Sequence, residues 1–380
     1  MDQKLLAPIN KSNPIVFFDI NIGREYAGRM VIELRKDVVP KTAENFRCLC
    51  TGENGIGTMG RPLHYKGVCF HKIMRVYVAG SGDIINNDGS SGESIYGPLF
   101  DDENFQLEHS EEGIVSMANY GKPNTNNSQF VITSTACENL NGTNVVVGRV
   151  LRGLGILGDM EQNTTDDGKP TKEIVIADCG EILEGQDWCI NDNDESGDTL
   201  PPYPQDWIDK LKPLTTDELL QILLSIRSAG NHYFTKSQFN EARRKYRKAN
   251  RYYNFFRKRF NWQDSPQNSY KNEDFKKLDN LSVLNNINMA AVDLKCQEYE
   301  NAKYCCSEAL NLDPACSKAY YRRGQANIAL KNYEDAIDDL LKAHSLLPEN
   351  KEVLNELNHA KRLLADYNRK QMLKYKHLFN

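Results

Sequence analysis

The chain has 380 residues, 40% hydrophobic and 26% charged, with a formal net charge of −5. That balance suits two or three globular domains and argues against a fibrous or low-complexity protein. No run of about 18 apolar residues occurs, and the opening MDQKLLAPINKSNP lacks the apolar stretch of a secretory leader, so no membrane contact and a cytoplasmic location are expected.

Ten cysteines carry no CxxC pair, and seven histidines stand at no ligand spacing from them. Reduced thiols are expected, with no metal site and no cofactor. The charge is divided unevenly. Residues 1–212 hold 19 Lys/Arg against 32 Asp/Glu, a net of −13, and residues 213–380 hold 28 against 20, a net of +8. The two halves face different partners.

In chain order, PIVFFDINI and GRMVIELR read as paired strands separated by the turn residues 23–28. PKTAENFRCLC opens on proline and carries apolar positions at helical spacing. GIVSMAN, SQFVITS, NVVVGRV and EIVIADCGEI are further strands. Many strands with two short helices predict a closed β-barrel with capping helices over residues 13–184. Residues 186–209 hold seven acidic residues, no Lys or Arg, and Pro201, Pro202 and Pro204. That composition predicts a linker over 185–213. DNDESG at 192–197 imitates a calcium loop, but its twelfth position is Tyr203 rather than a carboxylate, which argues against calcium.

Beyond residue 214 the pattern is helical and periodic. Ala302, Ala309 and Pro314 recur as Ala336, Ala343 and Pro348, a displacement of 34 residues. An earlier unit places Gly230, Tyr233, Ala242, Tyr246 and Ala249 at matching phases. This period predicts three tetratricopeptide repeats over 214–349, an all-α superhelix. An insertion or an extended helix is expected near 251–280, and a capping helix over 350–377. The run EARRKYRKANRYYNFFRKRF holds nine Lys/Arg among aromatics. It is expected to be a repeat helix with aromatics inward and bases outward, rather than a nucleic-acid surface.

VFFDI, VPKTAENFRCLCTGE, FHKI, GESIYG, DENF, SMAN, NTNNSQF and GEIL, in that order, resemble the cyclophilin family of peptidyl-prolyl isomerases. With the insert GIGTMGRPLHYKG, the acidic segment and the repeats, the whole chain resembles the forty-kilodalton, co-chaperone branch of that family. Rotation about an X–Pro bond crosses about 18–20 kcal/mol, and an isomerase must hold the twisted amide more tightly than either planar form. The family does so with an apolar proline pocket and an arginine aimed at the prolyl amide.

Carried onto this chain, the resemblance implies a degenerate site. Lys72 stands where the family has its arginine, keeping the charge without the planar fork. Tyr77, Val78 and Gly80 replace a phenylalanine, a methionine and a glutamine. Val131 replaces the second pocket phenylalanine, Asn144 a histidine, and Asn139 the tryptophan with which many members hold cyclosporin. Ala118, Asn119, Gln129 and Leu140 are retained. Strongly reduced or absent isomerisation is therefore expected, without cyclosporin binding. The alternative is an active isomerase in which Lys72 does the arginine's work.

For the repeats, the resemblance implies a clamp for two carboxylates at a chain terminus. Arg227 and Asn231 lie four apart on the first repeat's leading helix, Asn288 on the second's, and Lys318 and Arg322 on the third's. The family pattern begins with lysine; here Arg227 stands in its place. The implied partner is the acidic tail of the ninety-kilodalton heat-shock chaperone, with its seventy-kilodalton counterpart an open second candidate. Proline-containing client proteins would meet the cyclophilin half.

Overall fold

The computed structural model describes residues 6–208, 214–259 and 272–378. The chain divides into two units. One comprises the residues through Asn193 together with Thr199–Lys212, and the other Asp194–Asp198 together with everything from Pro213 onward.

In the first unit, β1 (Ile15–Ile22) and β2 (Glu25–Leu34) form a hairpin, followed by α1 (Pro40–Thr51), β3 (Lys72–Met74) and β4 (Val78–Ser81). Then come β5 (Ile114–Met117), β6 (Phe130–Thr133), β7 (Val146–Arg152), α2 (Gly155–Gln162) and β8 (Ile174–Ile182). All pair antiparallel in one curled sheet, ordered β3-β4-β6-β5-β7-β2-β1-β8. Its two edges are bridged just ahead of β3, where the Phe70 N–H donates to the Ile174 carbonyl (2.8 Å) and the Ile176 N–H to the Val68 carbonyl (2.9 Å). The barrel expected from the sequence is thus closed by a few bonds rather than by a full ladder.

Alternation explains which face is buried. Val16, Phe18 and Ile20 on β1 are all fully buried, as a period of two requires. Phe18, Phe46, Tyr65 and Phe130 pack with ring centroids 5.1–5.8 Å apart, and the Tyr65 hydroxyl donates to the Ser128 carbonyl at 2.7 Å. Proline at the start of α1 loses no helical bond. Gly52 ends the helix at φ 71°, a left-handed cap that glycine adopts at little cost.

The acidic segment does not behave as its mean composition predicts. Tyr203 is 3% exposed within the barrel core, and Pro201, Pro202, Pro204 and Trp207 are buried. Its ring lies over Gly155, where any Cβ would collide with Tyr203 Cδ1. The Tyr203 hydroxyl donates to Asp159 at 2.8 Å, and the Asp206 carboxylate accepts from the Gly153 N–H at 3.1 Å. Aromatic knobs bury more apolar area than the acidic average suggests. Tyr203→Ala is expected to destabilise this unit by about 3 kcal/mol; an unchanged melting midpoint in calorimetry would contradict the anchoring.

The second unit is helical: α3 (Thr216–Thr235), α4 (Phe239–Arg259), α5 (Asn272–Lys295), α6 (Tyr299–Leu312), α7 (Ser317–Ala329), α8 (Tyr333–Leu346) and α9 (Lys351–Leu378). Thr215 and Glu218 form a capping box at the start of α3. Small residues let the paired helices approach closely. A Cβ at Gly230 would lie 2.5 Å from the Tyr246 ring, and one at Gly324 would lie 2.7 Å from Leu340. Ala242, Ala302, Ala309, Ala336 and Ala343 are all fully buried. α4 and α5 have 21 and 24 residues against 13 or 14 in α6, α7 and α8. The interruption expected near 251–280 therefore coincides with lengthened helices, and residues 260–271 lie outside the described residues. No described helix is long and apolar enough to cross a membrane.

One expectation about α4 is corrected. Tyr246, Tyr252, Tyr253 and Phe256 are buried, but so are three of its bases: Arg243 at 4%, Lys245 at 0% and Lys248 at 1% exposure. Arg243 pairs with Asp293 at 3.0 Å. Lys245 and Lys248 both reach Asp198, at 2.9 and 2.7 Å, and Lys245 also reaches Asp194 at 2.7 Å. Arg244 binds Asp194 at 3.0 Å and Lys236 binds Glu195 at 2.9 Å. Asp194–Asp198 is therefore a carboxylate strap over the helix. A buried ammonium is tolerated only with such partners, which sequence periodicity does not reveal.

Burial pushes the Asp194 carboxyl up, but hydrogen bonds from Lys245 and Ser196 outweigh it and hold the group below its ordinary range. A depressed carboxylate stabilises the fold at pH above its unfolded value, about 4, and the contribution fades as the pH falls further. Asp194→Asn is expected to cost the helical unit about 2 kcal/mol at neutral pH and to flatten its acid-side stability profile. Wild-type urea midpoints at both pH extremes would sink this account.

Candidate functional site

The first candidate site lies across β3, β4 and β6. Lys72 on β3 pairs with Gly80 on β4, and Gly80 pairs with Val131 on β6. Directly opposed residues share a face of the sheet, so three of the exchanged positions stand in one row. Lys72 is exposed, Val131 half-buried and Gly80 buried. A Cβ at Gly80 would meet the Lys72 carbonyl oxygen at 3.4 Å, His71 Nε2 at 3.8 Å and Val131 Cγ1 at 3.9 Å. These are ordinary contacts, so glycine here is not imposed by crowding.

Tyr77 and Val78 lie at the bend from β3 into β4, both half-buried. The Asn139 amide donates to the Tyr77 hydroxyl at 2.6 Å, so these two residues expected at the site bind each other. Asn144 donates to the Met117 carbonyl at 2.9 Å and accepts from the Thr143 hydroxyl at 2.9 Å. Its amide is spent on the local backbone. The Leu140 carbonyl also lies 2.9 Å from the Thr143 hydroxyl, which shares its one proton between that oxygen and Asn144 Oδ1.

The retained residues are held firmly. Gln129 Nε2 donates to the Gly89 and Ser91 carbonyls at 3.1 and 2.7 Å. The Ala118 N–H donates to the Gln129 carbonyl at 2.9 Å, and Asn119 to the Thr143 carbonyl at 2.7 Å. The loop that receives Gln129 is organised by Asp83, whose carboxylate accepts from the N–H groups of Ile85, Asn86, Asp88, Gly89 and Ser91. His71 escaped the sequence reading although FHKI contains it. Burial holds its imidazole below the usual value, so it stays neutral at pH 7 and Lys72 is the cation of this row.

The second candidate site is on α3, α5 and α7. Asn231 and Asn288 meet, Asn288 Nδ2 donating to Asn231 Oδ1 at 3.1 Å. Arg322 donates to the Ile287 carbonyl, one residue before Asn288. Burial pulls its guanidinium below the ordinary value. Its neighbour shows the contrast: Arg323 pairs with Asp339 at 2.7 Å, with pKa raised through that bond. Of these adjacent arginines, Arg323 is ion-paired, whereas Arg322 donates to a backbone carbonyl and makes no ion pair among the described residues.

Arg227 lies with Leu223, Asn250, Tyr253 and Asn285 around a small cleft, its Nε buried without a hydrogen-bond partner. Lys318 is exposed. Neither makes an ion pair among the described residues. Tyr246, read from the sequence only as a packing residue, donates its hydroxyl to Asn231 Oδ1 at 2.7 Å. It senses the charges of both Arg227 and Arg322, so it sits in the midst of the expected clamp. Its repeat phase was visible in the sequence, but the direction of its hydroxyl was not.

Among the described residues, one cluster elsewhere has metal-ligand types. Glu44, Cys48 and Glu53 offer atoms within 4.8 Å of one another. The Arg47 guanidinium occupies it, 2.7 Å from Glu44 and 2.6 Å from Glu53, and burial pushes the Cys48 thiol up to about 12. A neutral thiol beside a resident cation is a poor ligand.

Comparison with known proteins agrees with both halves. The profile of the family described as cyclophilin type peptidyl-prolyl cis-trans isomerase/CLD matches residues 17–181, and that of the tetratricopeptide repeat matches residues 317–350, which contain α7 and α8. A Kluyveromyces lactis protein named Peptidyl-prolyl cis-trans isomerase D is 36% identical over 385 residues, spanning 98% of this chain and 100% of the relative. A barrel with this strand row, followed by helical repeats and a relative aligned nearly end to end, leads to one conclusion: the chain belongs to the cyclophilin-type peptidyl-prolyl cis-trans isomerases that carry tetratricopeptide repeats.

Proposed function

We propose that the protein is a cytoplasmic co-chaperone whose helical unit grips the acidic C-terminal tail of the ninety-kilodalton heat-shock chaperone, while its cyclophilin unit offers client proteins a weak or inactive isomerase site. The observation that carries the docking reading is the half-buried Arg322, without a carboxylate partner among the described residues and beside the joined amides of Asn231 and Asn288. Donors gathered without an acid suit a ligand that brings its own carboxylates. Arg227 and Lys318 add charge on the leading helices of the first and third repeats.

Support for the weak site is chemical. Lys72 offers a point charge where a planar fork is wanted, Gly80 has no amide to hold the peptide, and Asn144 is committed to Met117 and Thr143. The second reading, an active isomerase using Lys72, is favoured by one fact: Lys72 is exposed in the same row as Gly80 and Val131, with its charge available. Exchange NMR of a short Ala-Pro peptide with the full chain decides between them. Acceleration like that of ordinary cyclophilins would establish the enzyme, and peptide binding without acceleration the presenting module.

A further inference from the structure

We infer that Tyr246 is a positioning residue of the carboxylate clamp: with Asn288, it fixes the orientation of the Asn231 amide so that its N–H groups face an acidic chain terminus. This rests on the docking reading above and deepens it. An amide oxygen has two lone pairs, and both are taken in Asn231. The Tyr246 hydroxyl donates to Oδ1 at 2.7 Å and Asn288 Nδ2 donates to it at 3.1 Å. Rotating the amide by half a turn would set two NH2 groups against each other. The allowed orientation leaves Asn231 Nδ2 with no hydrogen bond among the described residues, and hence available to a ligand.

Tyr246 can enforce this because its own position is settled independently. It is 1% exposed beneath Gly230. Its backbone carbonyl accepts from Asn285 Nδ2 at 2.8 Å, and Asn285 also donates to Asn250 at 2.6 Å. Asn250 in turn donates to Asn286 at 2.8 Å. This amide ladder ties α4 to α5 without using the phenol. Burial pushes the Tyr246 hydroxyl up to about 12, so it remains a donor wherever a carboxylate ligand is charged.

The test uses calorimetric titration of the full chain with the synthetic peptide Met-Glu-Glu-Val-Asp, as the free acid and as the C-terminal amide. Tyr246→Phe keeps the ring and is expected to bind the free acid about fivefold more weakly, the worth of one neutral hydrogen bond. In an Asn231→Ala background the same change is expected to cost nothing further, because it acts through Asn231. Wild-type affinity in Tyr246→Phe, or an undiminished loss in the Asn231→Ala background, overturns the positioning role while leaving the clamp intact. If the wild type does not prefer the acid to the amide, or Arg322→Ala binds as the wild type does, the docking reading itself has failed.

Discussion

Replacing Lys318 and Arg322 together by alanine in the full chain is expected to weaken binding of a peptide ending in Glu-Glu-Val-Asp by about a thousandfold, since two charge-assisted hydrogen bonds at about 2 kcal/mol each are lost. The loss falls on binding rather than folding. Lys318 is exposed and has no ion-pair partner among the described residues, so its removal strands no buried acid. Arg322 gives up one hydrogen bond to the Ile287 carbonyl. Arg323→Ala is the control with the opposite signature. It leaves Asp339, 8% exposed at its side chain, without its cation and should lower stability more than affinity. Titration calorimetry at low and high salt measures the effect, and the wild type's salt dependence should shrink in the double variant. Normal binding by the double variant would remove the basis of the docking proposal.

Rebuilding the isomerase row is the second large effect. The full chain carrying Lys72→Arg, Gly80→Gln, Val131→Phe and Asn144→His is expected to gain about a thousandfold in kcat/KM, from four contacts at about 1 kcal/mol each. Lys72→Arg alone should recover less than about tenfold, because one fork cannot replace a missing pocket floor and a missing amide. The geometry permits the rebuild. A Cβ at position 80 meets nothing closer than 3.4 Å, and Val131 is half-buried rather than sealed. Asn144 must release the Met117 carbonyl, which a histidine need not occupy. Exchange NMR on an Ala-Pro peptide reads the outcome. A rebuilt variant no faster than the wild type would overturn the reading of these four positions as the source of a weak site.

Much of the fold is legible in local patterns of residues. Val16, Phe18 and Ile20 alternate in the sequence and are buried in the barrel, and the alanines that recur every 34 residues lie at helix crossings. Both are local periodicities, and an element's period follows from its own backbone geometry. The substitutions of the isomerase row can likewise be read in FHKIMRVYVAGSGD and its companions. That Lys72, Gly80 and Val131 form a single row required the register of β3, β4 and β6, which no single segment states.

What the sequence by itself determined was the order of units, the identity of the exchanged residues and the spacing of basic and amide residues on the leading helices. Only the tertiary structure decided that Tyr203 belongs to the barrel core, that Lys245 and Lys248 are buried beneath Asp194–Asp198, and that Arg323 pairs with Asp339 while Arg322 donates to a backbone carbonyl. It also decided that Tyr246 addresses Asn231. The physical reason is common to all four. A side chain's helical phase is set by its neighbours in sequence, but whether its charge or hydroxyl is satisfied depends on a partner 15 to 50 residues away and on the water excluded between them.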